Sequence, residues 1–254
     1  MGSEQRLAGL TVSLAGRVAV VTGGASGIGA SITRAFVESG ARTGVVDLKA
    51  GAEPAAGPDG LCTPFSCDIS DAASVAATVT AILEEYGRVD VLVNNAGISI
   101  LGPAEEFPAS AWDKVLAVNV RGTFLMSQAI GHHMLSMGGG KIINIASQAA
   151  TVALKDHVAY CASKAAVLGL TRVLACEWAD RGVTVNAVSP TIVMTEMGKK
   201  VWGGKKGDAM KALIPTGRFA EPEEVAAAVL FLASDSADMI NGANIAIDGG
   251  YTVQ

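Results

Sequence analysis

Thr22-Gly23-Gly24-Ala25-Ser26-Gly27-Ile28-Gly29 follows directly on the apolar run Arg17-Val18-Ala19-Val20-Val21 and leads into a helical pattern over 28–39. A buried strand, a glycine turn and a helix in immediate succession aim the helix N-terminus at a phosphate. The free N–H groups of the first turn and the positive end of the dipole both favour an anion. Gly23 permits the tight turn, Gly27 lets backbone approach a pyrophosphate, and Gly29 lets the helix pack close on the strand. The spacing is G-x-x-x-G-x-G, not the commoner G-x-G-x-x-G. The strand–turn–helix context is therefore what gives these glycines their meaning.

Outward from this turn, apolar strand-like runs at 17–22, 42–47, 62–67, 89–94, 140–147, 183–189 and 244–248 alternate with helical patterns at 28–39, 72–86, 111–137, 159–181 and 221–234. Such alternation predicts an α/β chain: a Rossmann-type, doubly wound, parallel seven-stranded sheet with helices on both faces. With no composition shift and no internal repeat, residues 1–254 read as a single nucleotide-binding catalytic domain. Two stretches break the rhythm. Residues 50–60 are rich in Ala, Gly and Pro and read as a surface loop. Residues 191–213 are long for a connection and carry Met194, Met197, Trp202 and a Gly203-Gly204 pair, which suits a lid.

Composition narrows the function classes. Hydrophobic residues make up 50% of the chain but aromatics only 5%, so small aliphatics fill the core, as a sheet covered on both faces requires. A net charge of −5 without basic runs argues against a nucleic-acid partner. Neither a signal peptide nor an unbroken apolar run of membrane-spanning length is evident, so no membrane partner is expected. Cys62, Cys67, Cys161 and Cys176 form no C-x-x-C pair, so no metal site is expected. Reduced thiols suit a cytoplasmic location.

Asp47 ends the second strand, 20 positions after Gly27. A carboxylate there accepts hydrogen bonds from the hydroxyls of an adenosine ribose and repels a 2′-phosphate. Neither Ser26 nor Leu48 offers the positive charge that NADP needs, so NAD is the expected cofactor; Lys49 is the one residue that speaks for NADP. Asp68 and Ile69 close the third strand, where they can hold the adenine edge. Asn95, Ala96 and Gly97 close the fourth, where small residues leave room for the adenosine.

Tyr160 and Lys164 stand four residues apart at the start of a helix and so share a face. An ammonium beside a phenol stabilises the phenolate, so this spacing predicts a depressed tyrosine pKa and a general base. Ser147, ending the fifth strand, can hold a substrate oxygen. Asn119, in the long helical pattern over 111–137, can anchor a water that links Lys164 to solvent.

On these motifs the chain resembles the short-chain dehydrogenase/reductase family over essentially its whole length. The matching pieces are residues 22–29, Asp68, 94–97, Asn119, Ser147, 160–164, Asn186 and 190–195. The resemblance implies a catalytic tetrad of Asn119, Ser147, Tyr160 and Lys164, with Tyr160 as acid/base and Lys164 also on the nicotinamide ribose. It implies that Pro190, Val193 and Thr195 help hold the carboxamide and pyrophosphate, and that the enzyme is a homotetramer. One departure stands out: the family has Pro-Gly where this chain has Pro190-Thr191. Thr191 should avoid φ > 0, narrow the pocket and add a hydroxyl. The neighbourhoods of Gln148, His157, Thr191 and Trp202 resemble family members that act on small polyols of the threitol and glycerol type.

The expected activity is thus NAD-dependent interconversion of a secondary alcohol and a ketone in a small-molecule substrate, a tetritol or 1,2-diol, with Ser147, Gln148, His157, Tyr160, Thr191 and Trp202 around it. Reduction of 3-oxoacyl thioesters is the alternative, kept open by Lys199, Lys200, Lys205 and Lys206 near the mouth. A nucleotide sensor without catalysis is the second alternative, against which the intact tetrad speaks. His157 reads equally as a surface residue, and Trp202 as a lid anchor or an interface residue. A Ser147–Asp156–His157 hydrolase triad is excluded, because Ser147 lacks the G-x-S-x-G elbow and Asp156 directly precedes His157.

Overall fold

In the computed structural model, residues 5–7, 10–48 and 61–253 are described. Lys49 and the 50–60 stretch lie outside them. Strands β3 (Val18–Thr22), β4 (Arg42–Asp47), β5 (Cys62–Ser66), β6 (Val91–Asn94), β7 (Gly140–Ile145), β8 (Val183–Pro190) and β9 (Asn244–Ile247) form one sheet in the order β5-β4-β3-β6-β7-β8-β9. Every neighbouring pair in it is parallel. β1 (Gln5–Leu7) and β2 (Leu10–Val12) make a separate antiparallel pair that the sequence pattern did not signal.

The continuous apolar runs are explained by burial on both sides of the sheet. Ala19, Val21, Val91, Val93, Ile143 and Ile145 meet α1 (Gly27–Glu38) and α8 (Pro222–Ala233) through Ile32, Phe36, Val225, Val229 and Leu230. The alternate residues Val18, Val20, Leu92, Ile142, Val183 and Val185 meet α2 (Ala72–Tyr86), α4 (Thr123–Met137) and α5 (Val158–Trp178). Chain order reverses between β3 and β6, which opens a crevice beyond their carboxyl ends.

Two elements differ from expectation. The helix expected over 111–137 is three pieces: α3 (Ala109–Leu116), a π-helical turn (Ala117–Gly122) and α4. A side chain at Gly122 would lie 2.7 Å from Ile69, so the turn passes close beneath the end of β5 and carries Asn119 inward. The 191–213 stretch is not bare loop. It holds α6 (Glu196–Val201), capped by the Thr195 hydroxyl, and α7 (Gly204–Lys211). The chain returns to its start seven residues past its end: Met194 N–H donates to Ala220 O at 2.9 Å, and Ala220 N–H to Ile192 O at 3.0 Å.

Helix α5 with its following turn, Val158–Arg181, is long and apolar enough to cross a membrane by length and composition, although polar residues interrupt its apolar run. It lies on the sheet instead, with Ser163, Lys164 and Thr171 buried along its inner face.

Candidate active site

The cradle is built from backbone. Gly23 takes φ 61° and Gly27 φ 55°, both in the left-handed region. Thr22 Oγ1 accepts from the N–H groups of Asn95 and Ala96 at 3.0 and 3.1 Å. The Asn95 amide returns hydrogen bonds to the carbonyls of Thr22 and Gly23, both at 3.0 Å. These bonds fasten the turn after β3 to the end of β6. Ser26 caps α1 without using its side chain, so the first-turn N–H groups face the cleft rather than a cap.

The cleft has a volume of about 850 Å³. It is lined by Gly23, Ser26 and Ile28 in the cradle, by Asp47, Leu48, Asp68 and Ile69 beyond β4 and β5, and by Asn95, Ala96 and Gly97 after β6. Ser147, Tyr160, Lys164, Pro190, Thr191 and Thr195 complete the lining. Gly27 and Gly29 shape it from behind. The Asp68 carboxyl is held below its ordinary range by the Ser70 hydroxyl and N–H. A phosphate cradle, a carboxylate at the ribose end and small residues between them fit a nicotinamide dinucleotide.

Tyr160 sits over Lys164, whose Nζ lies 5.7 Å from the phenol ring centroid and donates to Ile145 O at 2.7 Å. Burial pushes the Tyr160 phenol above its ordinary value, and the hydrogen bond with Ser147 only partly opposes this. Burial also brings Lys164 down to about 8. The depressed phenol expected from the spacing is therefore corrected: burial dominates, the Ser147 hydrogen bond is what opposes it, and the Lys164 ammonium is turned to the Ile145 carbonyl.

Asn119 is buried in the π-turn. Its Oδ1 accepts from Ile98 N–H at 2.8 Å, and its amide donates to Ile98 O and Ser163 Oγ, both at 2.9 Å. Ser163 Oγ donates to Tyr160 O at 2.8 Å, so Asn119 braces the turn of α5 that bears the phenol. A β-carbon at Gly97 would lie 3.2 Å from Asn119 Oδ1 and 3.5 Å from Lys164 Nζ. The absent side chain lets the backbone pass close to both polar groups.

The remaining residues named from sequence are placed as follows. His157 stands beside Tyr160, ring centroids 6.2 Å apart and edge to face. Its Nδ1 is 2.6 Å from Lys155 O. A carbonyl only accepts, so Nδ1 bears the proton and Nε2 of the neutral ring is an acceptor. Asp156, at φ 64°, is the one non-glycine residue of positive φ among those described, and Thr191 avoids that region as its β-carbon requires. The Asp156 carbonyl accepts from Gly102 N–H at 3.0 Å, and Gly102 bridges to His157. Gln148 is buried directly behind Ser147. Val193 packs into the core. Trp202 is not among the cleft-lining residues; its ring packs on Phe219 at 5.9 Å, under the Lys206 ammonium. Sequence reasoning missed Lys114, an exposed cation that lines the cleft from α3. Its position four residues before the lining Val118 was the available signal.

A family model described as enoyl-(acyl carrier protein) reductase matches residues 23–252. D-threitol dehydrogenase of Mycolicibacterium smegmatis is 59% identical, over 95% of this chain and 95% of that one. NAD-dependent glycerol dehydrogenase of Listeria innocua serovar 6a is 48% identical, over 94% of each chain. A solved gluconate 5-dehydrogenase from Burkholderia cenocepacia, in complex with NADP and tartrate, is 32% identical with a TM-score of 0.90, covering 95% of this chain and 97% of that one. Likeness of this extent, in sequence and in fold alike, places the chain in the short-chain dehydrogenase/reductase family of oxidoreductases.

Proposed function

We propose that the protein is an NAD-dependent dehydrogenase that oxidises a secondary hydroxyl of a small polyol, such as a tetritol or 1,2-diol, reversibly. The observation that carries the chemistry is the wall shared by Ser147, Tyr160 and Lys164, which β3 and β6 separate from Asp47. The threitol- and glycerol-dehydrogenase relatives support the substrate class, and Thr191 supports a short substrate by narrowing that wall.

The dinucleotide would lie along Ser26, Ile28 and Thr195, with Asp47 on its adenosine ribose and Lys164 on its nicotinamide ribose, and its nicotinamide ring supplies the hydride acceptor. Tyr160, once deprotonated, takes the proton of the substrate hydroxyl as the carbon loses hydride and the carbonyl forms. Ser147 holds the same oxygen by a hydrogen bond before and after. Lys164 passes the phenol's proton outward, toward a water anchored at Asn119. Residues 1–254 are taken as one catalytic domain, and the enzyme as a cytoplasmic homotetramer with its four cysteines reduced.

A panel of diols, tetritols, pentitols and oxoacyl thioesters, followed at the NADH absorbance band, tests the reading. Tetritols or short diols are expected to lead. Efficient reduction of acetoacetyl thioesters with no turnover of any polyol would overturn the substrate class.

A further inference from the structure

β9 is an edge strand, paired with β8 alone and partly exposed along its length. A strand held from one side opens locally more readily than one in the middle of a sheet. Two main-chain bonds nevertheless depend on its carboxyl end. Ile247 O accepts from Thr191 N–H at 3.0 Å, and Thr191 lines the cleft with Ser147 and Tyr160. Gly249 O accepts from Thr216 N–H at 3.1 Å, on the limb by which the chain returns from α7 to α8.

Between these two carbonyls stands Asp248, 6% exposed. Its Oδ1 accepts from Gly250 N–H at 2.9 Å, and its Oδ2 from Thr252 N–H at 3.0 Å and from the Thr252 hydroxyl at 2.6 Å. Burial alone would raise the carboxyl, but these bonds outweigh it and hold the group below its ordinary range. Hydrogen bonds to an ionised acceptor are about twice as strong as neutral ones, so three of them tie the turn firmly. The knotted turn then meets the returning limb at close quarters. A β-carbon on Gly249, which takes φ 61°, would lie 2.8 Å from Ile214 Cγ2 and closer still to Thr216 Oγ1.

We propose that Asp248 is a positioning residue for the substrate site: by knotting the turn after β9 it fixes Ile247 and Gly249, and through them the Thr191 wall and the limb that returns from α7. The inference rests on the polyol reading above only for the substrate used to test it. Asp248 is not among the residues that line the cleft, so its effect on the reaction passes through the two main-chain bonds. With the knot loosened, the end of the edge strand frays. Thr191 then loses the acceptor of its N–H, and residues 212–217 lose the turn they rest on. The glycine turn belongs to β3 and α1, and Tyr160 and Lys164 to α5, so phosphate binding and the proton path are carried by other elements.

The test measures KM and kcat for threitol, NADH affinity and tryptic cleavage in wild type, Asp248→Ala and Thr252→Val. Trypsin cuts after Lys199, Lys200, Lys205, Lys206 and Lys211. Its rate there tracks how often the stretch opens, provided that reclosing outpaces cleavage. Digestion is run well below each variant's melting temperature, and the cuts are mapped by mass spectrometry. In Asp248→Ala, KM for threitol should rise about tenfold or more, as a misplaced wall implies. NADH affinity should stay close to wild type, and the faster cuts should be confined to 199–211. Thr252→Val removes one of the three bonds and should shift both readouts the same way by less. Unchanged KM and unchanged cleavage in Asp248→Ala overturn the proposal. If that variant does not fold, the same result in Thr252→Val overturns it equally. Cuts spread over the whole chain, with NADH affinity lost in parallel, overturn it too, because the knot would then serve overall stability alone. A wild type that turns over no polyol defeats the polyol reading, and the cleavage map then decides the positioning role by itself.

Discussion

A β-carbon on residue 29 would lie 2.0 Å from the carbonyl oxygen of Gly23. That oxygen is held in place by the Asn95 amide and is main chain, so it has no rotamer by which to retreat. Gly29→Ala should therefore push α1 off the turn and spoil the cradle. Overpacking of this kind costs about 1–3 kcal/mol. We expect a lower melting temperature and at least a tenfold weaker NADH affinity by fluorescence titration. An alanine variant that binds NADH as wild type does would show that the cradle is not where the phosphates lie.

Asp47 should set the choice between cofactors. Hydrogen bonds from ribose hydroxyls to a carboxylate are worth about 1.5–3 kcal/mol, so NAD should be preferred more than tenfold in kcat/KM. Asp47→Ala should erode that preference mainly by weakening NAD. Equal or better efficiency of the wild type with NADP would refute the assignment.

Tyr160→Phe should fold and bind NADH but keep less than about a hundredth of the turnover, the lower edge of what a general base contributes. Lys164→Ala should lose turnover and bind NADH more weakly as well, because it has two tasks. Stopped-flow turnover and equilibrium binding on the same preparations separate the two effects.

Lys164 also predicts a pH dependence of stability. Its folded value is about 8, against 10.5 for the free side chain. Between those values the unfolded chain holds more protons than the folded one, so stability should rise with pH across that window. The full effect is up to about 3 kcal/mol. Replacing Lys164 with Met removes the dependence. The melting-temperature advantage of Lys164→Met over wild type should be largest near pH 7 and shrink toward pH 10. A constant advantage would mean that the ammonium is not desolvated.

The sheet was legible because its inner strands, β3, β4, β6, β7 and β8, are buried along nearly their whole length and bounded by turn residues. β4 and α2 were readable to the residue, as 42–47 and 72–86. The cradle and the Tyr160–Lys164 spacing were legible because both are local. What escaped depends on distant contacts. The π-turn answers to Ile69 and to Ser163, 44 residues from Asn119, and no periodicity within 111–137 records either. The raised Tyr160 comes from burial, which spacing alone does not contain. Trp202 was drawn toward the substrate by its place in a long loop, but its partner Phe219 lies beyond that loop. β1 and β2 span three residues each, too short for an alternating pattern to stand out.

The paired bonds between Ile192, Met194 and Ala220 close residues 194–219 at the neck. An excursion tied off at its base is a cassette. Beyond Thr195, which faces the glycine turn, its interior should tolerate changes of length without moving β8 or the start of α8, and so without disturbing the phenol or the ammonium. Length can thereby be gained or lost over the cleft's rim while the sheet edge that carries the chemistry stays where it is.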